Sequence, residues 1–109
     1  MKAKELDTQP AGYYAYAAVR DARMRNFAMS SKYNEAQKVQ AERMKLGLEM
    51  VYSAKGFYIN YRAKFIAIKI ENPQVRDRKN LKLLEQDYEK AGISKEITPQ
   101  GVIYRIKKA

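Results

Sequence analysis

One short stretch limits the possible folds of this chain more than any other feature. In residues 57–65, apolar and polar side chains alternate directly after Gly56, and many of them are β-prone. Period-two alternation is typical of a β-strand with one buried face. The apolar positions are Phe57, Ile59, Tyr61, Ala63 and Phe65, and the intervening ones are Tyr58, Asn60, Arg62 and Lys64. A strand needs a partner strand and a covering layer, so the chain must supply both.

The same stretch also allows a second interpretation. The spacing of Phe57, Tyr61, Phe65 and Ile68 would suit a helix that continues from the preceding segment. A helical projection scatters Ile59, Ile66 and Ile70 away from the Phe57 face, which favours a strand over residues 57–70. Residues 102–107 alternate in the same way, with Val102, Tyr104 and Ile106 on one side, and we predict a second strand there.

Three segments have helical spacing. Tyr13 to Met29 follows Pro10, and residues 32–53 carry apolar side chains on one face, with Ser30 or Ser31 available as the N-cap. A third helix is predicted to begin at Asn72-Pro73 and to end before Gly92. The sequence thus predicts a mostly helical α+β fold, in which an N-terminal helical hairpin precedes a strand–helix–strand unit. Residues 1–9 read as a polar arm, and residues 10–109 as a single basic domain.

The charge of this domain indicates an anionic partner. The chain has 22 Lys and Arg residues against 12 Asp and Glu residues, a net charge of +10. Segments 57–70 and 93–109 each carry three more basic than acidic residues, and so hold six of the ten excess charges. If the two strands are neighbours, their basic side chains form one edge that can hold phosphates, with tyrosines able to stack on bases. The candidates are Arg62, Lys64, Lys69, Arg105, Lys107 and Lys108, with Tyr58 and Tyr104 for stacking. Protection of a strand edge by lysine and arginine would give the same pattern.

The first predicted helix suggests a protein partner instead. Its aromatic stripe has a guanidinium in the middle, because Arg20 lies four residues after Tyr16 and seven before Phe27. An arginine in that position can snorkel from the edge of a core, pair with a carboxylate, or reach a phosphate. The candidate docking residues on this helix are Tyr13, Tyr16, Arg20, Arg23 and Phe27.

The composition argues against catalysis and against a resident cofactor. The chain has no cysteine and no histidine, which removes thiolate sites, the commonest metal ligand and the side chain best suited to acid–base work near neutral pH. Its five glycines stand singly, so no phosphate-binding loop is formed. The segment after Gly92 is too short for the recognition helix of a helix-turn-helix. We therefore expect no enzyme activity, no metal and no cofactor.

These observations predict a structural subunit of a larger particle of the ribosomal or virion type, which binds nucleic acid together with other proteins. A basic linker that joins acidic subunits without nucleic acid is the alternative. No apolar run approaches membrane-spanning length. The chain is therefore expected to be intracellular and soluble, in the cytoplasm, an organelle interior or a virus particle.

Overall fold

The computed structural model describes residues 23–108, in which helices and antiparallel strands alternate. The elements are α1, helical over residues 23–30, α2 (Glu35–Val51), β1 (Tyr52–Ser53), β2 (Gly56–Tyr61), β3 (Phe65–Glu71), β4 (Gln74–Val75), α3 (Arg78–Lys90), β5 (Ser94–Thr98) and β6 (Gly101–Lys107). The described residues are 44% helix and 34% strand. The prediction of a mostly helical chain is therefore wrong. Of the first predicted helix, residues 13–22 lie outside the described residues, as does the predicted arm at 1–9.

The principal sheet has four antiparallel strands in the order β2-β3-β6-β5, and β1 and β4 form a separate antiparallel pair. Residues 57–70 are indeed extended, but they form two strands of a hairpin instead of one. Strands β3 and β6, whose pairing is the condition for one basic edge, lie side by side and antiparallel, with Ile68 opposite Tyr104. Strand β5 was missed because its five residues, SKEIT, contain only one apolar side chain. The predicted strand–helix–strand unit is thus part of a larger antiparallel sheet.

Alternation along the strands separates the two faces of this sheet. Ile66, Ile68 and Ile70 of β3 are fully buried. They pack with Leu48 and Val51 of α2 and with aliphatic residues of β6 in one cluster. Burying an isoleucine side chain contributes about 1.5–3 kcal/mol, so this row supplies much of the stability of the fold. We call the face that carries it the inner face, and the opposite one the outer face.

Helix α2 begins later than the sequence predicted. Asn34 is its N-cap and accepts a hydrogen bond from the backbone N–H of Gln37 at 2.8 Å, while the Gln37 side chain accepts one from the Asn34 N–H at 3.4 Å. This reciprocal pair is a capping box. Ser30 and Ser31 instead donate to the carbonyls of Phe27 and Ala28, one turn back. They therefore bond the last turn of α1 instead of capping α2.

Helix α3 also begins elsewhere. Its N-cap is Asp77, whose carboxylate accepts the backbone N–H of Asn80 at 3.0 Å. Asn72 has a positive φ of 49° and lies in the turn between β3 and β4, so Asn72-Pro73 does not start a helix. The end of the helix is as predicted. Gly92 has φ 76°, and the Ile93 N–H donates to the Tyr88 carbonyl at 2.9 Å, which is a Schellman motif.

The side chain of Asn26 hydrogen-bonds helix α1 to the edge of β2. The Asn26 carboxamide accepts the Tyr61 backbone N–H at 2.7 Å and donates to the Ile59 carbonyl at 3.3 Å. The amide thereby occupies two backbone groups at the sheet edge that could otherwise hydrogen-bond to an additional strand. None of the helices in residues 23–108 is long and apolar enough to cross a membrane.

Candidate nucleic-acid interface

Four of the six predicted phosphate-binding residues meet at one end of the principal sheet. Arg62 and Lys64 flank Ala63 in the β2–β3 turn, while Lys107 and Lys108 end β6. The β3–β6 register carries the two pairs together, because Lys107 lies opposite Phe65 and the Lys108 N–H donates to the Lys64 carbonyl at 3.0 Å. We call these four residues the basic end.

The side chains of the basic end are exposed and carry unbalanced charge. Within the described part of the chain, ion pairs are formed by Lys38, Lys45, Lys55, Lys95 and Arg105, and none by a member of the basic end. Four like charges held close together repel one another and attract a polyanion. The basic end is therefore a place in residues 23–108 where several unpaired cations lie together and an anionic partner would supply counter-charge.

A buried tyrosine fixes the turn that carries the basic end. The Tyr33 hydroxyl donates to the Arg62 carbonyl, and its ring packs against that of Tyr61 with centroids 5.5 Å apart. The Lys108 ammonium lies 5.1 Å from the centroid of the Tyr33 ring. Burial raises the pKa of Tyr33 above the ordinary value of 10.0, so its hydroxyl keeps its proton further into the alkaline range. The role of Tyr33 is not predictable from the sequence, since a pattern of apolar positions does not show which carbonyl a phenol will meet.

Lys69 and Arg105 do not join the basic end. Both lie on the outer face and are partly buried. Arg105 reaches the Glu96 carboxylate at 2.7 Å, and its guanidinium lies 5.4 Å from the centre of the Phe65 ring. Its charge is thus already paired. Lys69 sits in the middle of the face, opposite Tyr58 on β2 and Ile103 on β6.

Of the two predicted stacking tyrosines, only Tyr58 is accessible. Its side chain is 46% exposed on the outer face, and its hydroxyl donates to Glu71 at 3.3 Å. The ring lies across Gly56, where an added Cβ would collide with it. A base could stack on this ring only at a distance from the basic end, beside Lys69.

The prediction that Tyr104 stacks on bases is wrong. Tyr104 is 1% exposed on the inner face, in edge-to-face contact with Tyr88 at 5.7 Å. Its hydroxyl lies 3.3 Å from both the Tyr52 hydroxyl and the Glu85 carboxylate. Val102 and Ile106, two positions away on either side, are buried with it. No base can reach the ring, because this side of β6 faces the helices.

The predicted docking helix is described only at its C-terminal end. Tyr13, Tyr16 and Arg20 lie outside the described residues. Arg23 is exposed, and Phe27 is 78% exposed. The described part of α1 therefore presents an aromatic side chain to solvent, as a docking surface would, while Asn26 holds the helix to β2.

A polar groove adjoins the basic end and adds one cation that the sequence analysis missed. The groove has a volume of about 540 Å³ and lies between α1 and the β2–β3 turn. It is lined by Arg25, Asn26, Met29, Asn60, Tyr61, Arg62 and Ala63. No sequence pattern marks Arg25 as a site residue, because only the attachment of α1 to β2 brings it towards Arg62.

No metal-binding cluster of three or more acidic side chains occurs in residues 23–108. Glu85 of α3 is bound to Lys95 at 2.6 Å. Its carboxylate is thus engaged in holding β5 to α3. No protein-family model matches the chain, and no curated protein and no solved structure was found to be similar to it.

The buried tyrosines make the stability of the fold sensitive to alkaline pH. Burial and, to a smaller degree, the charge of Asp87 raise the pKa of Tyr88 from 10.0 to about 12. Burial and the hydroxyl contact with Tyr52 also raise the pKa of Tyr104. Above pH 10 the unfolded state has lost these protons and the folded state keeps them, so stability is full below pH 10 and falls as pH rises towards 12. We expect Tyr88→Phe to reduce this decline by at most about 1.4 kcal/mol per pH unit in urea unfolding.

Tyr58→Phe provides the matched control, since it removes an exposed phenol from the other face of the sheet. This variant should retain the decline of the wild type. If Tyr88→Phe also declines as the wild type does between pH 10 and 12, Tyr88 does not hold its proton in the folded state.

Proposed function

We propose that this protein is a non-catalytic structural subunit of a larger assembly, of the ribosomal or virion type, and that it binds the nucleic-acid backbone through the basic end. One observation carries the proposal. Arg62, Lys64, Lys107 and Lys108 converge where a turn meets a strand end, and no carboxylate of the described residues pairs with them.

The chemistry of this surface favours contact with phosphates over contact with bases. Neutralising phosphates with Lys and Arg releases condensed counterions and gives affinity without sequence selectivity. Reading single-stranded bases would require rings close to these cations. Tyr33 lies close but is buried, and Tyr58 is accessible but lies on the outer face. The proposed contact is therefore electrostatic and tolerant of sequence.

A second surface supports a place within an assembly. Exposed apolar side chains lie on the helical layer: Val39, Leu46 and Met50 on α2 and Leu83 on α3. A furrow of about 250 Å³, lined by Gly47, Met50, Leu83 and Leu84 among others, runs between the two helices. Apolar surface of this kind is characteristic of contacts with other proteins. A subunit that binds nucleic acid at the sheet end could use this helical face to contact its neighbours.

Replacing the basic end tests the proposal directly. The variant Arg62→Gln, Lys64→Gln, Lys107→Gln and Lys108→Gln removes four charges without shortening a side chain greatly. Each phosphate contact contributes about 0.7 to the slope of log K against log salt for single strands, so we expect the slope to flatten by up to about 3. The measurement is fluorescence anisotropy of a labelled single-stranded oligonucleotide across a salt series.

The matched control changes one arginine and three lysines on the helical layer: Arg43→Gln, Lys79→Gln, Lys82→Gln and Lys90→Gln. It loses the same net charge, so it separates the position of the charges from their number. The control should keep most of the wild-type slope. Equal losses in the two variants would mean that overall charge, and no particular surface, governs binding.

The second candidate is a basic linker that joins acidic protein subunits without nucleic acid. The exposed Leu46 and Met50, together with the net charge of +10, favour it. In that case the tagged full chain should recover acidic proteins from its source, and the variant Leu46→Ser, Met50→Ser should recover far less of them. Nucleic acid that copurifies with the chain and is released by salt would contradict the linker.

A further inference from the structure

In the described structure, one edge of the principal sheet has its outward backbone groups hydrogen-bonded and the other does not. Strand β2 forms one edge and strand β5 the other. At β2, the Asn26 carboxamide bonds the outward groups of Ile59 and Tyr61. An unpaired edge is usually blunted by proline, a bulge, a charge or a covering element, because it can accept a further strand.

The pairing pattern shows which backbone groups of β5 point outward. The Asn72 N–H donates to the Gln100 carbonyl at 2.9 Å, so the even-numbered residues of β6 bond to β3. The odd-numbered residues then bond to β5, where Ile103 is opposite Glu96 and Arg105 is opposite Ser94. The N–H and C=O groups of Lys95 and Ile97 therefore face away from the sheet. No backbone group in residues 23–108 outside the sheet ladders bonds to them.

Helix α3 lies beside this edge and runs in the opposite direction to β5. The Ile93 N–H meets the Tyr88 carbonyl, and two residues on, Lys95 meets Glu85. Two further strand residues advance about 6.6 Å, which equals about four residues of a helix. By this spacing Ile97 lies level with Leu81, in the first turn of α3. Its side chain is on the inner face, opposite Val102, yet it is 77% exposed.

Two cations stand on this part of α3. Arg78 and Lys82 lie seven and three residues before Glu85, on the same side of the helix that faces Lys95. Both are exposed, and neither forms an ion pair with a described carboxylate. The strand itself contributes little free charge, since Lys95 is paired with Glu85 and Glu96 with Arg105. The region between β5 and the start of α3 is therefore positive around an exposed isoleucine.

We infer that β5 binds an extended, acidic segment of a partner protein as a fifth strand of the sheet. The outward groups of Lys95 and Ile97 supply the main-chain hydrogen bonds of β-strand addition. An apolar side chain of the segment packs beside Ile97, and carboxylates next to it meet Arg78 and Lys82. This surface is separate from the basic end and does not depend on the function proposed for it.

A second copy of the chain fits this edge less well. An antiparallel pairing of two copies can bond the outward N–H and C=O groups of Lys95 and Ile97 in both. This pairing places Glu96 directly opposite Glu96 of the other copy. Like charges in that position are destabilising. Each copy also carries a net charge of +10. An acidic partner has neither disadvantage.

The test uses the full chain, labelled with ¹⁵N, and the blocked peptide Thr-Glu-Thr-Val-Thr-Glu-Thr, which carries glutamate and valine on one face as a strand. Amide exchange at Lys95 and Ile97 should be fast in the free protein and slow in the complex. The peptide with lysine in place of both glutamates should bind about five- to tenfold more weakly, as expected for the loss of two exposed ion pairs.

Three variants separate this site from general attraction of an acidic peptide to a basic protein. Ile97→Pro removes an outward N–H and the apolar side chain of the proposed site, so protection at Lys95 should be lost while the Ile103 amide stays protected. Arg78→Gln with Lys82→Gln should abolish the preference for glutamate over lysine and leaves the strand unchanged. The four-glutamine variant of the basic end should still bind at β5.

Other results would overturn the inference. One is peptide binding that leaves exchange at Lys95 and Ile97 fast, or maps to the basic end. Another is protection of these amides in the peptide-free chain. If that protection rises with protein concentration, a second copy occupies the edge, and if deletion of residues 1–22 removes it, the chain covers its own edge.

Discussion

The register of β3 against its neighbours is the constraint on which the rest of the structure depends. Ile66, Ile68 and Ile70 are all fully buried on the inner face, and Lys69 lies between two of them on the outer face. A slip of one residue would exchange the two faces and place Lys69 in the core. The isoleucine row therefore excludes every register shifted by an odd number of residues. The observed register brings Lys108 beside Lys64 and so creates the basic end.

Charged side chains on the outer face are largely paired with one another, whereas those of the basic end are not. On the outer face, Arg105 is bound to Glu96, and Glu71 lies close to both Lys55 and Tyr58. Exposed pairs of this kind contribute little to stability, about 0–1 kcal/mol each, but they leave little charge to attract a ligand. The cations of the basic end face no carboxylate among residues 23–108, and they converge where the β2–β3 turn meets the end of β6. Position, and not the count of lysines alone, thus marks this surface for an anionic partner.

Sequence patterns predicted those parts of the fold in which periodicity reports burial directly. The apolar spacing of α2, the strand at residues 102–107 and Gly92 as a helix stop were confirmed, whereas residues 57–70 form two strands where one was predicted. The turn at Arg62 to Lys64 was missed because it contains neither glycine nor proline. Asn72-Pro73 has the composition of a helix start. The chain instead forms the short strand β4 after it, and α3 begins only after its N-cap, Asp77.

The candidate site was predictable to the extent that it depends on neighbouring strands. Once β3 and β6 pair, Lys64 and Lys108 must lie together, as the charge distribution suggested. The prediction for Tyr104 was wrong because it considered the aromatic ring alone. The apolar residues two positions away on either side, Val102 and Ile106, indicate that this side of the strand is buried. The contacts of Tyr33 with Arg62 and of Asn26 with β2 join residues about thirty positions apart. No local pattern identifies such pairs.

The most direct measurement of the central claim is an NMR titration of the ¹⁵N-labelled full chain with a single-stranded oligonucleotide at low salt. The account predicts saturable shifts at the amides of residues 62–65 and 105–108, with smaller shifts elsewhere, and their disappearance as salt rises. Shifts that are strongest on α2 and α3, or spread evenly over all basic residues, would contradict a nucleic-acid contact at the basic end.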